Sequence, residues 1–177
     1  MIGCYAQTEL GHGSNVAGLE TTATLDKETD EWIIHSPTVT STKFWPGGLG
    51  LWSNYAVVFA QCIVDENNYG VMGFLVPIRS LETHMPLKGI QIGDMGTKLG
   101  YTSVDNGWMI FNKVRIPRTN MLNRFVYIDQ DGSMEIRGNL KAIYSTMVNI
   151  RSQLIFNCGY VINRAMIIGV RYSACRR

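Results

Sequence analysis

The stretch Gly138-Asn139-Leu140-Lys141-Ala142-Ile143-Tyr144-Ser145-Thr146-Met147 divides the chain into two kinds of sequence. From it onward, apolar residues fall at Leu140, Ile143, Met147, Ile150, Leu154, Cys158, Val161, Ala165 and Ile168. Spacings of three and four are the period of one face of an α-helix. No proline interrupts the stretch, and Asn139 is a suitable N-cap, so one long helix is predicted from Asn139 to about Tyr172. At ~1.5 Å per residue it would be roughly 50 Å long. A small neighbouring domain cannot cover that length, so the helix is expected to pack on helices outside this chain or on another subunit.

Before Gly138 the pattern changes to short runs rich in Thr, Val, Ile, Tyr, Phe and Trp between glycine, proline and polar turn signals. Leu19 to Leu25, Glu31 to Ser36, Ala56 to Val64, Gly70 to Pro77, Trp108 to Ile116 and Phe125 to Ile128 read as strands. The polar clusters Asp26-Lys27-Glu28-Thr29-Asp30 and Asp65-Glu66-Asn67-Asn68 join such runs. Asp131-Gly132 is a tight-turn dipeptide, so sequential strands are expected to pair as antiparallel hairpins. The predicted fold class is α+β: an antiparallel β-barrel or sandwich of about seven or eight strands over residues 1–137, followed by a long α-helix over residues 138–177.

Composition narrows the function classes. The 177 residues are 46% hydrophobic and 17% charged, with a net charge of +2. That suits a packed globular chain, and the scattered Lys and Arg residues argue against a nucleic-acid surface. Cys4, Cys62, Cys158 and Cys175 are far apart, with no Cys-x-x-Cys spacing and no nearby His pair, so no metal site is expected. The longest uninterrupted apolar runs fall well short of the roughly 20 residues of a spanning helix, so no membrane span is expected. The N-terminal residues carry no signal-peptide pattern and no Asn-x-Ser/Thr acceptor occurs, which leaves secretion unsupported.

Two segments carry chemistry. Tyr5-Ala6-Gln7-Thr8-Glu9-Leu10-Gly11-His12-Gly13-Ser14-Asn15 combines hydroxyls with glycines that let backbone approach a ligand. It lacks the third glycine of a dinucleotide fingerprint and no helical pattern follows, so a Rossmann reading is poor. Lys43-Phe44-Trp45-Pro46-Gly47-Gly48-Leu49-Gly50 sets aromatic rings beside a rigid proline and permissive glycines, which can hold a ring against a planar ligand. Taken alone, the first segment also reads as a turn and the second as an aromatic core plug. His12, His35 and His84 lie outside any metalloprotease or catalytic-triad context, and no catalytic nucleophile is assigned. Asp129-Gln130-Asp131-Gly132 lacks the glutamate offset of a calcium loop and reads as a hairpin turn.

In order along the chain, these two segments resemble peroxisomal acyl-CoA oxidases, within the acyl-CoA dehydrogenase/oxidase superfamily. The resemblance also rests on Gly18-Leu19-Glu20-Thr21-Thr22-Ala23-Thr24, Ser36-Pro37-Thr38-Val39-Thr40-Ser41, Val76-Pro77-Ile78-Arg79, Gly100-Tyr101, Asp105-Asn106-Gly107, Arg115-Ile116-Pro117-Arg118 and Arg171-Tyr172-Ser173-Ala174-Cys175-Arg176-Arg177. It implies that residues 1–137 are the central flavin-contacting β-barrel and 138–177 the first long helix of a C-terminal helical domain, so that the chain is a fragment.

The resemblance further implies FAD-dependent oxidation of a fatty acyl-CoA to the trans-2-enoyl-CoA, with molecular oxygen reduced to hydrogen peroxide, in a peroxisomal homodimer. By matching positions, Thr8 and Gly47 would contact FAD, with Trp45 and Gly48 shaping the same wall. Arg176 matches an arginine that reaches the FAD pyrophosphate of the partner subunit, a role suited to its planar fork. Arg151 matches a basic residue near the substrate. The family's catalytic glutamate lies beyond Arg177, so no catalytic residue is expected in this chain and little turnover is expected of it alone. The alternatives are an acyl-CoA dehydrogenase, or an inactive barrel-plus-helix binding or assembly module. Leu10 and Pro46-Gly47-Gly48 stand where dehydrogenases usually carry a proline and an Ile-Thr-Asn, which favours an oxidase.

Overall fold

The computed structural model describes residues 1–139 and 145–176. In chain order the described strands are β1 (Gly3–Ala6), β2 (Thr22–Asp26), β3 (Glu31–His35), β4 (Lys43–Gly47), β5 (Tyr55–Val64), β6 (Asn67–Pro77), β7 (Ile90–Asp94), β8 (Asn106–Phe111), β9 (Val114–Pro117), β10 (Val126–Ile128) and β11 (Met134–Ile136), followed by the helix α1 (Ser145–Cys175). They divide into two compact units, Met1–Glu135 and Ile136–Arg177.

In the first unit, β5 is the spine of a six-stranded sheet. Ala56, Val58, Phe59, Ala60, Cys62 and Val64 are buried while Tyr55, Val57, Gln61 and Ile63 are half-buried, so one face packs into the core and the other is partly covered. β6 pairs antiparallel along one edge, from Tyr55↔Pro77 to Val64↔Asn67. Its other edge is shared: β1 pairs with Tyr55–Val58 and β2 with Gln61–Ile63, both in parallel. β3 and β9 extend the sheet by antiparallel pairing. A second sheet has the order β4-β8-β7, and β10 pairs with β11. The sheets curl into a half-barrel. Its core includes Trp32, whose ring meets Phe74 edge-on at 5.2 Å and whose indole N–H donates to Arg118 O at 3.2 Å.

The β-domain and long helix expected from the sequence are both present. Strand pairing is mixed, because β1 and β2 run parallel to β5. The run Trp108 to Ile116 is two strands in different sheets, since Lys113 takes a left-handed conformation at φ 50° and breaks the extended chain. The Asp131-Gly132 turn forms as expected: Gly132, at φ 86°, donates its N–H to Asp129 O at 3.0 Å.

In the second unit, α1 is a single helix of 31 residues. The expected cap at Asn139 concerns a start within residues 140–144, outside the described residues. Every side chain described on α1 is exposed, including Leu154, Phe156, Val161, Met166 and Ile168. Val148–Cys175 is long and apolar enough, by length and composition only, to cross a membrane. Counting uninterrupted apolar runs missed this, because Arg151, Asn157 and Arg164 break the runs while mean hydropathy stays high. Apolar residues lie on nearly all sides of this exposed helix.

Candidate functional site

The two glycine-rich segments, some 30 residues apart in the chain, lie side by side. Glu9 bridges Lys43 in antiparallel fashion, flanked by Phe44 N–H donating to Thr8 O at 3.0 Å and Leu10 N–H to Thr42 O at 2.8 Å. This register sets Thr8 opposite Phe44 and one residue from Trp45. Thr8 is half-buried and Gly47 exposed, while Trp45 is 49% exposed. Gly47 presents open backbone: a Cβ there would meet only Val104 Cγ1, at 3.8 Å.

Between Phe44 and Gly47 the β4–β8 register shifts. Trp45 takes φ 81° and Gly48 φ 77°. A glycine adopts such a backbone freely, but a bulky aromatic does so only when its surroundings impose it. The bulge turns the Trp45 ring outward while Pro46 and Leu49 stay buried.

One buried ion pair ties the segments together. Lys43 Nζ donates to Glu9 Oε1 at 3.0 Å, to Phe59 O at 2.6 Å and to Gln7 O at 3.2 Å, and both side chains are fully buried. Glu9 Oε1 also accepts from Thr21 N–H at 2.9 Å and from its hydroxyl at 2.5 Å. Its Oε2 accepts from Glu20 N–H at 2.8 Å and lies 3.0 Å from His12 Nδ1.

Burial alone would raise the Glu9 carboxyl, but the Lys43 ammonium and the hydrogen bonds from Glu20 and Thr21 outweigh it and hold Glu9 below its ordinary 4.5. Burial pushes Lys43 down to about 8 against the attraction of Glu9, so the pair is ionised at neutral pH. A carboxyl depressed by folding adds stability that is complete above its unfolded value and lost as pH falls through its folded value. The acid limb of a melting-temperature-versus-pH curve is therefore expected to flatten below pH 4.5 in Glu9→Gln, and an unchanged limb would contradict this role.

The loop after the bulge is held from beneath. Arg79 is buried; its Nη1 donates to Leu49 O at 3.0 Å and Ser53 O at 2.6 Å, and its Nη2 to Gly50 O at 2.7 Å. From the β8 side, Asp105 O accepts from Gly48 N–H, and Asp105 Oδ2 accepts from Leu51 N–H at 2.8 Å and Trp52 N–H at 3.2 Å. Gly107 permits this closeness, since a Cβ there would sit 2.6 Å from Gly50 N and 2.8 Å from Gly93 O. Backbone cannot yield as a flexible side chain can, so Gly107→Ala is expected to cost about 1–3 kcal/mol in urea unfolding. A cost near zero would show that the loop does not pack this way.

Arg151 lies exposed on α1, and Arg176 follows its end, donating its N–H to Tyr172 O at 2.9 Å. Both belong to the second unit. The structure brings together Thr8, Trp45, Gly47 and Gly48. Sequence reasoning missed the Glu9–Lys43 pair, Arg79 and Asp105, whose partners are distant along the chain. Among the described residues no cluster of His, Cys, Asp and Glu could hold a metal.

The β-domain thus turns an aromatic ring and open glycine backbone outward from one bulge. The chain belongs to the acyl-CoA dehydrogenase family: the family model for its middle domain matches residues 4–114. It is 51% identical over 181 residues to peroxisomal acyl-coenzyme A oxidase 1 of Arabidopsis thaliana, across 100% of this chain and 27% of that protein. The solved structure of Arabidopsis thaliana acyl-CoA oxidase 1 matches with a TM-score of 0.94 at 51% identity, over 99% of this chain and 27% of that one. Acyl-CoA oxidase-2 of Caenorhabditis elegans, solved bound with FAD, ascaroside-CoA and ATP, matches with a TM-score of 0.94 at 48% identity, over 100% of this chain and 27% of that one. The chain thus spans about a quarter of the length of these relatives.

Proposed function

We propose that this chain is the flavin-contacting part of a peroxisomal acyl-CoA oxidase. The observation that carries the proposal is the pairing of the Thr8 segment with the Trp45–Gly48 bulge, which sets a hydroxyl, an indole and exposed backbone on one wall. The open backbone at Gly47 fits a planar ligand at close range. Thr8 and Gly47 would hold the ring system of FAD, with Trp45 and Gly48 shaping the wall. FAD, when bound, supplies the hydride acceptance and oxygen reactivity that convert a fatty acyl-CoA to the trans-2-enoyl-CoA and hydrogen peroxide.

Residues 1–137 are assigned to this wall, and 138–177 to the start of a helical domain whose remaining helices cover α1. Arg176 would serve the FAD of a partner subunit in a homodimer, and Arg151 the acyl-CoA. No carboxylate near the wall is assigned as catalytic base: Glu9 is engaged by Lys43, Thr21, Glu20 and His12, and Glu20 accepts from Thr38 and Thr40.

Titrating the chain with FAD tests the wall. Thr8→Val removes one hydrogen bond and is expected to weaken binding about threefold to tenfold. Equal affinity would remove Thr8 from the site. The second reading, a dehydrogenase that passes electrons to another acceptor, is favoured by the family model alone; oxygen-dependent peroxide formation by the longer protein separates the two.

A further inference from the structure

We propose that Asn106 is a positioning residue: its carboxamide holds the Trp45 carbonyl and thereby fixes the outward pose of the Trp45 ring. Asn106 opens β8, opposite Gly47 in the register, and is 8% exposed. Its Nδ2 donates to Trp45 O at 2.8 Å across 61 positions of sequence. The orientation of the amide follows from chemistry, because a carbonyl only accepts, so the nitrogen must face Trp45. Asn106 Oδ1 is left buried and without a partner.

The contact matters because of what it restrains. Trp45, at φ 81°, sits in a backbone region that costs an aromatic residue about 1–3 kcal/mol, and such a conformation persists only where neighbours over-determine it. The flanking anchors lie elsewhere: Phe44 N–H is fixed by Thr8, and Gly48 N–H by Asp105. Between them, among the described residues, the Asn106 carboxamide makes a side-chain bond to the bulge itself. Acting through Trp45, Asn106 would touch no ligand, which makes it a positioning and not a catalytic residue.

The effect on cofactor binding rests on the flavin reading above, so the test reads the ring both with and without FAD. Asn106→Leu keeps the branched four-atom shape in a slightly larger side chain, removes the donor and also removes the unpartnered oxygen. Asn106→Asp keeps the shape but sets oxygen against oxygen. In nitrogen-labelled chain without FAD, both variants are expected to shift or broaden the Trp45 indole N–H signal, assigned with Trp45→Phe, and to leave the buried Trp32 signal in place. With FAD, affinity is expected to fall about tenfold.

An unmoved Trp45 signal in folded Asn106→Leu, with affinity equal to wild type, would overturn the proposal. If the wild-type chain takes up no FAD while the Trp45 signal still moves, the positioning role stands and the flavin reading falls. Should neither variant fold, hydrogen exchange of the wild-type Asn106 side-chain amide decides: slow exchange supports the bond to Trp45, and exchange as fast as that of an exposed asparagine overturns it.

Discussion

Replacing Lys43 by Met is expected to lower the unfolding free energy by about 3–5 kcal/mol, because it leaves the Glu9 carboxylate buried without its counter-charge. Glu9 and Lys43 are fully buried and 3.0 Å apart. The ammonium also saturates Phe59 O and Gln7 O, which would lose a donor in the same step. A buried pair is not by itself strong evidence for stability, since two well-packed apolar residues can do as well. The double replacement Glu9→Gln with Lys43→Met is therefore expected to be less destabilised than the sum of the two single changes. Additive effects in urea unfolding would mean that the two charges do not act as a pair. The functional consequence follows from location, as the pair lies at the bridge that sets Thr8 beside Trp45.

Arg79→Met is expected to be comparably damaging, at about 3 kcal/mol or more, since the carbonyls of Leu49, Gly50 and Ser53 would each lose a charge-assisted bond in a buried setting. A residue between β6 and β7 thus fixes the loop from Gly48 to Ser53, which also carries the exposed Leu51 and Trp52. Loss of the loop should abolish FAD uptake along with stability. Arg79→Lys restores the charge but not the fork, and is expected to recover only part of the loss. Full recovery by Lys would show that charge alone, and not the three-carbonyl geometry, is what the loop requires.

Local signals explain which parts of the fold were readable. β2, β3, β5 and β6 are runs of β-branched and aromatic residues between polar turns, and α1 repeats apolar residues every three or four positions. β4 was hidden because Phe44-Trp45-Pro46-Gly47-Gly48 has the composition of a turn; it becomes a strand through pairing with β8, 60-odd residues later. β7 is short, follows Gly89 and contains Gly93, whose gap is filled by the Trp108 ring, with atoms within 2.4 Å of where a Cβ would stand. The parallel contacts of β1 and β2 with β5 depend on chain crossing, which no local pattern encodes.

The same distinction holds at the site. The ligand-facing types were visible as a hydroxyl, an aromatic ring and glycines in two short motifs. The groups that hold them were not, because Glu9 finds Lys43 34 positions away and Trp45 finds Asn106 61 positions away. His12 and the Glu20 backbone are likewise tied to the pair through Glu9, which lies within hydrogen-bonding distance of His12 Nδ1 and of Glu20 N–H.

The most direct test of the flavin wall is the visible absorption spectrum of the purified chain after incubation with FAD and removal of the free cofactor, run beside Trp45→Ala. Retained yellow protein with structured bands, diminished in Trp45→Ala, is the expected result. A colourless wild-type chain, or one that holds flavin equally well without the Trp45 ring, would contradict the assignment of this wall to FAD.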